Sequence, residues 1–591
     1  MKKKWMLKGS NFSNLKYLTE KFKISAETAK VLAGRGLKDM MQIESFLKPS
    51  FSDLHSPWLL KDMEGGVSTI AAAITNKERI IVFGDYDADG VMSTAILYKA
   101  LKYCGALVHY YIPDRISEGY GMSTEAIEKL AREGANTIIS CDNGIAAFEQ
   151  VKRAKELGMT VIITDHHEIP ISIDAEGNKS ALLPNADAII NPKQKDCSYP
   201  FKGICGAMLA LKFSQALYEY MNKNSIPNEF YEFAAIATVC DVMELIDENR
   251  FLVQKGLLQL QNTANIGLDA LLQVTKLKDK KLNTFSLGFI IGPCINASSR
   301  LDSADIACEL LITEDKEQAK ILAEKLYELN NQRKYMTLKA FESTSNIIEE
   351  KHKKDKVLVV YNDEIEESIA GIVAGRIKEK YCLPTIVITK AHEDLKGSGR
   401  SIEGYNMFEE LSKCRNLMSK FGGHPMAAGL SLKENALEEL RSRLNKNFNL
   451  KEEDMIPILR IDLSLPVEKA TLQLAKELKL LEPYGNGNGV PLFGDRNLKI
   501  EKAEVLGKNK NAIRLSLKTG KARLIRAIYF EDLSTFEDFI VDNFGKGKLQ
   551  DCYAGNGKDI LVDIVYALEE NEYNGRSDAQ IQIKDIRPSN K

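Results

Sequence analysis

Gly84-Asp85-Tyr86-Asp87-Ala88-Asp89-Gly90 sets three carboxylates at alternate positions between an apolar run, Arg79–Phe83, and a stretch of helical spacing, Val91–Tyr103. Three such neighbours cannot all stay ionised unless a cation or hydrogen-bond donors offset their repulsion. A divalent metal is the economical answer, and it demands a fold that holds these side chains still. Two other readings compete. D-x-D-x-D-G matches the first six positions of an EF-hand loop, but that loop needs a bidentate Glu at position 12, and position 12 here is Ile96. An Asx-rich turn capping the next helix would account for one Asp and leave two unexplained.

The strand, loop, helix pattern then repeats. Ala106–Ile112, Thr137–Cys141 and Thr160–Thr164 read as strands, and Ser123–Glu133 and Ala146–Leu157 as helices. Short apolar strands alternating with helices predict an α/β domain built on a parallel sheet with helices on both faces. Such sheets bind ligands beyond the carboxyl ends of their strands. Two further predicted strand ends carry chemistry, Cys141-Asp142-Asn143-Gly144 and Asp165-His166-His167. A lone histidine is more often a core or surface residue than a ligand, yet the chain has seven histidines and two stand together here. Mixed Asp and His donors suit Mn²⁺ or Mg²⁺ better than zinc or copper. Asp241, inside the apolar run Ala234–Leu245, would be costly to bury unpaired, so a metal or an Arg must balance it.

With 591 residues, about three to five domains are expected. Residues 1–314 read as an amino-terminal segment plus the α/β domain, 315–355 as a charged helical linker, 356–452 as a smaller α/β domain, and 453–591 as a turn-rich β-barrel. A continuous helix over 315–353 would reach roughly 60 Å, a span suited to joining two lobes rather than to a core. The net charge of −2 excludes a polycation that coats nucleic acid indiscriminately, so any anion-binding surface must be local. Residues 497–526 meet that requirement with nine Lys and Arg, among them Lys508, Lys510 and Arg514, against two acids. Alternating basic and apolar residues fit a groove tracking a single strand, with Tyr484, Phe493, Tyr529 and Phe530 available to stack bases. The other reading is a solvated strand face over an aromatic core. The ten cysteines lack any C-x-x-C pairing and read as buried thiols in a reducing cytosol. No apolar run approaches a signal or membrane span, so the expectation is a cytoplasmic protein.

Taken in order, GDYDADG, SCDNG, TDHH and ATVCDV resemble the DHH phosphoesterase superfamily, and within it the bacterial single-strand-specific 5′→3′ exodeoxyribonucleases. GRGL at 34–37, FLKPS at 46–50, IPDRISEGYG at 112–121, GPCINASSR at 292–300 and LNNQRK at 329–334 follow the same pattern. GSGRS at 397–401 and FGGHPMAAG at 421–429 are similar to the associated DHHA1 domain, and LEPYGNGNGVPLF at 481–493 to the entry of an OB-fold.

The resemblance implies a metal-dependent hydrolase with two Mn²⁺ or Mg²⁺ ions, acting on single-stranded DNA in repair and recombination. It makes Asp87, Asp89, Asp142, His166 and Asp241 metal ligands, with Asp142 bridging, His167 facing substrate, and Asp85 and Asp165 orienting the ligands. It puts Arg115 and Arg300 near the terminal phosphate and Ser398, Arg400 and His424 on the gripping face of the second lobe. A single-strand-binding protein and a helicase are implied partners. One position departs from the pattern: Glu366 stands where His is usual, with Arg376 a candidate partner, and Ala370, Gly371, Ala374 and Gly375 form a small-residue face for close packing. Two rivals stand beside this reading, a DHH phosphodiesterase acting on short oligonucleotides or cyclic dinucleotides, and a catalytically silent DNA-binding scaffold.

Overall fold

The computed structural model describes residues 3–9, 15–37, 39–173, 178–391, 394–507, 510–520, 523–557, 559–573 and 575–589. The chain forms two compact units, residues 50–455 and residues 1–49 together with 456–591.

In the larger unit, β1 (Arg79–Phe83), β2 (Leu107–Tyr111), β3 (Thr137–Cys141), β4 (Thr160–Thr164) and β5 (Ala188–Ile190) make a parallel sheet in the order β2-β1-β3-β4-β5. Successive side chains leave opposite faces of a strand. Ile80 and Val82 therefore enter one core with Ile139 and Ile162, while Ile81 and Phe83 enter the other with Ile138 and Ile163. A sheet buried on both faces explains why its strands read as unbroken apolar runs. The chain moves outward from β1 to β2 and then returns to β1's other side at β3. The crevice between the ends of β1 and β3 is thus the switch point where such folds bind ligands.

Helix α1 (Ala88–Tyr103) follows β1 directly, so the last three residues of the acidic heptapeptide are its first turn. Helices α2 (Gly206–Tyr220) and α3 (Asn228–Cys240) pack against α1, and α4 (Gly292–Leu301) lies beside α3. Helix α5 (Lys316–Ile347) occupies the expected linker and continues as a wider turn to His352. It is not a bare spacer, which corrects the expectation. Ala319, Ala323 and Leu326 complete the core of the first lobe, and Ala340 with Ile348 joins the core of the second, so one rigid element is welded into both.

The second lobe holds β6 (Leu358–Tyr361), α6 (Glu367–Tyr381), β7 (Thr385–Lys390), β8 (Leu395–Arg400), β9 (Met418–His424) and β10 (Ala427–Leu432), with sheet order β9-β10-β8-β7-β6. Only β6 and β7 run parallel.

In the other unit, β11 (Phe493–Leu506), β12 (Ala512–Lys518), β13 (Leu524–Tyr529), β14 (Leu561–Tyr573) and β15 (Arg576–Pro588) pair in the cycle β11-β12-β13-β15-β14 and back to β11. The β-barrel expected from the sequence is closed and five-stranded, with two helices, Leu533–Phe544 and Lys546–Ala554, between β13 and β14. Ile513, Leu515 and Leu517 are buried in the barrel core, while Arg514 and Lys518 are partly exposed.

The amino-terminal segment belongs to this unit and not to the catalytic sheet, a correction to the expected grouping. Lys4–Leu7 pairs with Ile458–Ile461. Leu18, Leu32, Ile43 and Phe46 share a core with Leu474, Leu478 and the barrel interior. Glu477 accepts hydrogen bonds from the Ser25 N–H (2.8 Å) and the Thr28 hydroxyl (2.9 Å). Helices of eight residues cannot bury an apolar face alone, and this surface covers them. All ten cysteines are free thiols, and among the described residues no helix is long and apolar enough to cross a membrane.

Candidate active site

The end of β1 turns sharply into α1. Asp87 caps that helix, accepting from the N–H groups of Asp89 (2.9 Å) and Gly90 (3.0 Å). Gly90 admits no larger residue, since a Cβ there would lie 2.5 Å from the Asp85 carbonyl. Capping accounts for one carboxylate oxygen of Asp87 and leaves the other acids to be explained. Asp89 accepts from the N–H groups of Gly206 and Ala207 at the start of α2, both at 2.7 Å, where the helix dipole favours negative charge. Asp142 sits just past β3 with a positive φ of 61°. Asn143 pins that turn by donating to the carbonyls of Gly84 and Cys141. Asp241 follows the last residue of α3.

These four elements and the end of β4 bring the predicted ligands together. His166 Nε2 lies 3.0 Å from Asp142 Oδ1, 3.5 Å from Asp89 Oδ2 and 3.7 Å from Asp241 Oδ2. Two triads share no member: Asp89, His166 and Asp241, and Asp85, Asp87 and Asp142; within each, the donor atoms lie within 4.8 Å of one another. Asp85, expected a layer further out, joins the second triad. Asp165 keeps its expected place, receiving His167 Nδ1 at 2.8 Å and the Ile145 N–H at 2.9 Å.

The electrostatics of this cluster call for cations. Asp85, Asp89 and Asp142 are buried at 2% exposure. Burial first, then neighbouring carboxylates, raises the pKa of Asp85 and Asp142 well above the ordinary range. Asp89 is raised by burial against the pull of His166. Asp241 is pushed up to about 8 by burial and by Asp89 and Asp87. The buried atoms Asp85 Oδ1, Asp142 Oδ1 and His166 Nδ1 make no hydrogen bond, although buried polar atoms ordinarily find partners. Hard oxygen donors with one imidazole, orphaned and mutually repelling, fit a pair of divalent ions. His167 differs. Burial works against its charge, but the hydrogen bond to Asp165 outweighs that and holds it at about 9.

Beside the cluster lies a pocket whose charged lining is mainly cationic. Arg115 stacks on Tyr86 at 4.7 Å, Arg300 donates to the Ser368 carbonyl, and Arg400 donates to the Gly399 carbonyl and the Ser398 hydroxyl. Burial, then repulsion from Arg115, depresses both Arg300 and Arg400; a bound anion would relieve it. A Cβ on Gly371 would sit 2.7 Å from the Arg400 guanidinium, which accounts for glycine there; Ala370 and Ala374 pack into the core of the second lobe, but a Cβ on Gly375 would meet nothing within 4 Å, so close packing does not explain that position.

Other expectations are corrected. His424 is exposed at the end of β9, outside the walls of this cavity. Glu366 and Arg376 stand at opposite ends of a helical stretch of roughly 15 Å, and no ion pair joins them among the described residues; Glu367 pairs instead with Lys396 at 2.7 Å. On the barrel, Phe493 and Tyr529 are buried in the core, and Tyr484 packs partly against it. Phe530 alone of the four aromatics named is exposed. Lys510 is exposed, Arg514 is half-buried and lies 3.4 Å from Glu504, and Lys508 falls outside the described residues.

Sequence reasoning missed two contributors. Tyr120, whose hydroxyl lies 3.2 Å from the Asp142 carbonyl and 3.4 Å from the His167 ring, ties the loop after β2 to the cluster. Asn296 on α4 accepts from the Ala88 N–H at 2.8 Å. Both stand within motifs that the sequence displays, but nothing local marks them as polar contacts to another element.

The model of the DHH family, N-terminal domain, matches residues 79–238, that of the DHHA1 domain residues 354–450, and that of the RecJ OB domain residues 461–585. The Bacillus subtilis single-stranded-DNA-specific exonuclease RecJ is 35% identical, covering 100% of this chain and 71% of its own length. The Escherichia coli protein of that name is 32% identical over 95% of both chains. The crystal structure of RecJ from Thermus thermophilus in complex with Mn²⁺ superposes with a TM-score of 0.82 at 26% identity, covering 100% of this chain and 80% of that one. A manganese-bound exonuclease RecJ gives 0.59 at 29% identity, covering 69% and 98%. With both lobes and the barrel matched in order, and relatives above 30% identity along their length, the chain belongs to the RecJ family of DHH phosphoesterases.

Proposed function

We propose that the two triads at the sheet's carboxyl edge make this chain a metal-dependent exonuclease specific for single-stranded DNA. The observation that carries the reading is the orphaned, mutually repelling cluster at the ends of β1, β3 and β4. Asp89, His166 and Asp241 would hold one ion and Asp85, Asp87 and Asp142 the other. A third candidate grouping, Asp142 with His166 and His167, links the two triads through Asp142 and His166; of these two, only the carboxylate has two oxygens to offer, which supports Asp142 as the residue that would serve both ions. Bound divalent ions supply hydroxide at neutral pH and stabilise the attacking and leaving oxygens of an in-line displacement.

The chain's own groups do the rest. Asp165 accepts the His167 Nδ1 proton, fixes the ring, and leaves Nε2 to donate to the phosphate or the departing oxygen. Arg115, Arg300, Ser398 and Arg400 form a fork suited to a terminal phosphate. Gripping that phosphate beside the cluster sets the next phosphodiester over the reacting position, so that each cut releases a 5′ mononucleotide and degradation runs from the 5′ end. On the barrel, Lys499 faces Lys518 across two strands, a like-charge pair that favours an anion between them. Lys510, Arg514 and their neighbours would guide the strand. A single-strand-binding protein and a helicase are the partners this role calls for, in a cytoplasmic setting of repair and recombination.

A dinucleotide-specific phosphodiesterase has no use for the barrel, and a silent scaffold has no use for an intact cluster. A time course with strands labelled at each end, DNA and RNA, with and without Mn²⁺, tests the reading. Mononucleotides released only from the 5′ end of DNA are expected. Activity confined to dinucleotides would overturn it.

A further inference from the structure

The terminal-phosphate pocket is larger than a terminal phosphate needs. Its cavity of about 420 Å³ is lined by five cationic side chains, Arg115, Arg300, Arg400, Lys396 and Lys420, against the single carboxylate of Glu367. That volume lies in the range of sites for whole small molecules rather than one anion.

The strand register of the second lobe accounts for the excess. Thr385 on β7 faces Arg400 on β8, and Val387 faces Ser398; these two rows carry the fork already described. The next row along the same face is Thr389, Lys396, Ser431 and Lys420, each opposite the next across β7, β8, β10 and β9. Residues directly opposite share a face, and rows two residues apart are separated by about 6.7 Å along the strand.

All four members of this outer row line the cavity. Between it and the arginines the floor is Gly429 and Gly422, where a Cβ would meet nothing within 4 Å, so the passage is open. Thr389 is fully buried and its hydroxyl has no hydrogen-bond partner. A buried hydroxyl facing a cavity without a partner points to a ligand group that supplies one.

We infer that this outer row is a second anion subsite, built for a linear polyphosphate whose first phosphate occupies the arginine fork, as on a strand whose 5′ end carries a di- or triphosphate. The inference rests on the reading of Arg115, Arg300, Ser398 and Arg400 as the terminal-phosphate site. A monophosphate cannot span the two rows; a linear triphosphate can. Lys396 would turn from Glu367 toward the added charge, Lys420 would approach from the strand edge, and the Thr389 hydroxyl would donate to a non-bridging oxygen.

The test is binding by the full-length chain in excess chelator, which removes both hydrolysis and metal–polyphosphate complexes. The probes are one fluorescent oligonucleotide with a 5′-monophosphate, the same oligonucleotide with a 5′-triphosphate, and inorganic tripolyphosphate as competitor. The triphosphorylated strand is expected to bind about tenfold or more tightly than the monophosphorylated one, the scale of one or two charge-assisted hydrogen bonds. That advantage should vanish in K396A/K420A, persist in K396R/K420R, and shrink in T389V, while binding of the monophosphorylated strand stays within about twofold in all three. Equal affinity for the two strands in the wild type overturns the subsite. So does an advantage that survives K396A/K420A. R400A reports separately on the fork: if it leaves both strands unaffected, the underlying reading fails. If tripolyphosphate displaces the triphosphorylated strand at equal concentration in the wild type but not in K396A/K420A, the row recognises polyphosphate free of the strand, and its chemistry stands.

Discussion

The strand-end crevice of the catalytic sheet and the basic face of the barrel both concentrate like charges, by opposite means. In the crevice Asp85, Asp89 and Asp142 are sealed from water and held by backbone N–H groups, a helix start and a positive-φ turn. On the barrel Lys499, Lys510 and Arg526 stand in solvent, and Glu504 is shared by Lys502 and Arg514. Repulsion between buried charges is screened little and stores a standing requirement for a counter-ion. Repulsion between exposed charges is weakened by salt and demands no particular partner. Burial therefore separates a crevice suited to holding ions for chemistry from a surface suited to collecting and guiding a charged strand.

Replacing Asp142 by Asn breaks the crevice most completely. Turnover should fall about a thousandfold or more, the scale for losing one organised electrostatic contributor. The metal-free protein should unfold at a higher temperature than wild type, because a buried repulsion is gone, and should lose its stabilisation by added Mn²⁺. Calorimetry with and without the ion checks both; a Mn²⁺-dependent rise in Tm equal to wild type would contradict the cluster.

Arg400→Ala tests the pocket between these extremes. Its effect on kcat/KM should be about 10- to 100-fold for 5′-phosphorylated strands and small for strands ending in a 5′ hydroxyl. An equal loss on both would assign Arg400 to folding rather than to phosphate recognition.

Glu477 sharpens the comparison by showing what a partly exposed charge contributes. Burial opposes its ionisation, but hydrogen bonds from Ser25 and Thr28 outweigh it and hold the carboxyl below its ordinary value. A depressed folded-state value means the stabilisation is full above the unfolded-state pKa and is lost as pH falls through the folded one. Glu477→Gln should cost about 1–2 kcal/mol at neutral pH and nearly nothing in acid, read from denaturant unfolding of the full chain at both pH values.

The smallest change is expected on the barrel. Reversing Lys510 and Arg514 to Glu should weaken binding several-fold at moderate salt and reduce the slope of log K against log salt by about two or more, leaving turnover at saturating substrate untouched. An unchanged slope would remove these side chains from the strand's path.

Much of the site was legible because its chemistry is local in the chain. The acidic heptapeptide, the Asp142 turn and the Asp165-His166-His167 end each announce themselves by residue type and by position after an apolar strand. Tyr120 and Asn296 were not legible, because each contributes one hydrogen bond to an element that local patterning does not connect to it. His424 was placed by its glycine-rich motif, and only the register shows that it stands in one row with Arg400, two strands away at the sheet edge. The aromatics of the barrel misled because period-two alternation says that a strand has two faces and leaves open which one is covered.

By itself, the amino-acid order pointed to the parallel sheet, the span of the long helix and a small barrel, since periodicity and strand-end position follow from local backbone geometry, and the family resemblance marked the candidate metal-ligating side chains. Tertiary structure alone decided that Asp85 joins the cluster, that α5 is buried in both lobes, that residues 1–49 complete the barrel unit, and that Thr389, Lys396, Ser431 and Lys420 form one row. Each of these depends on which distant segments share a core or a register, and burial and pairing are properties of the packed chain that no short stretch of it carries.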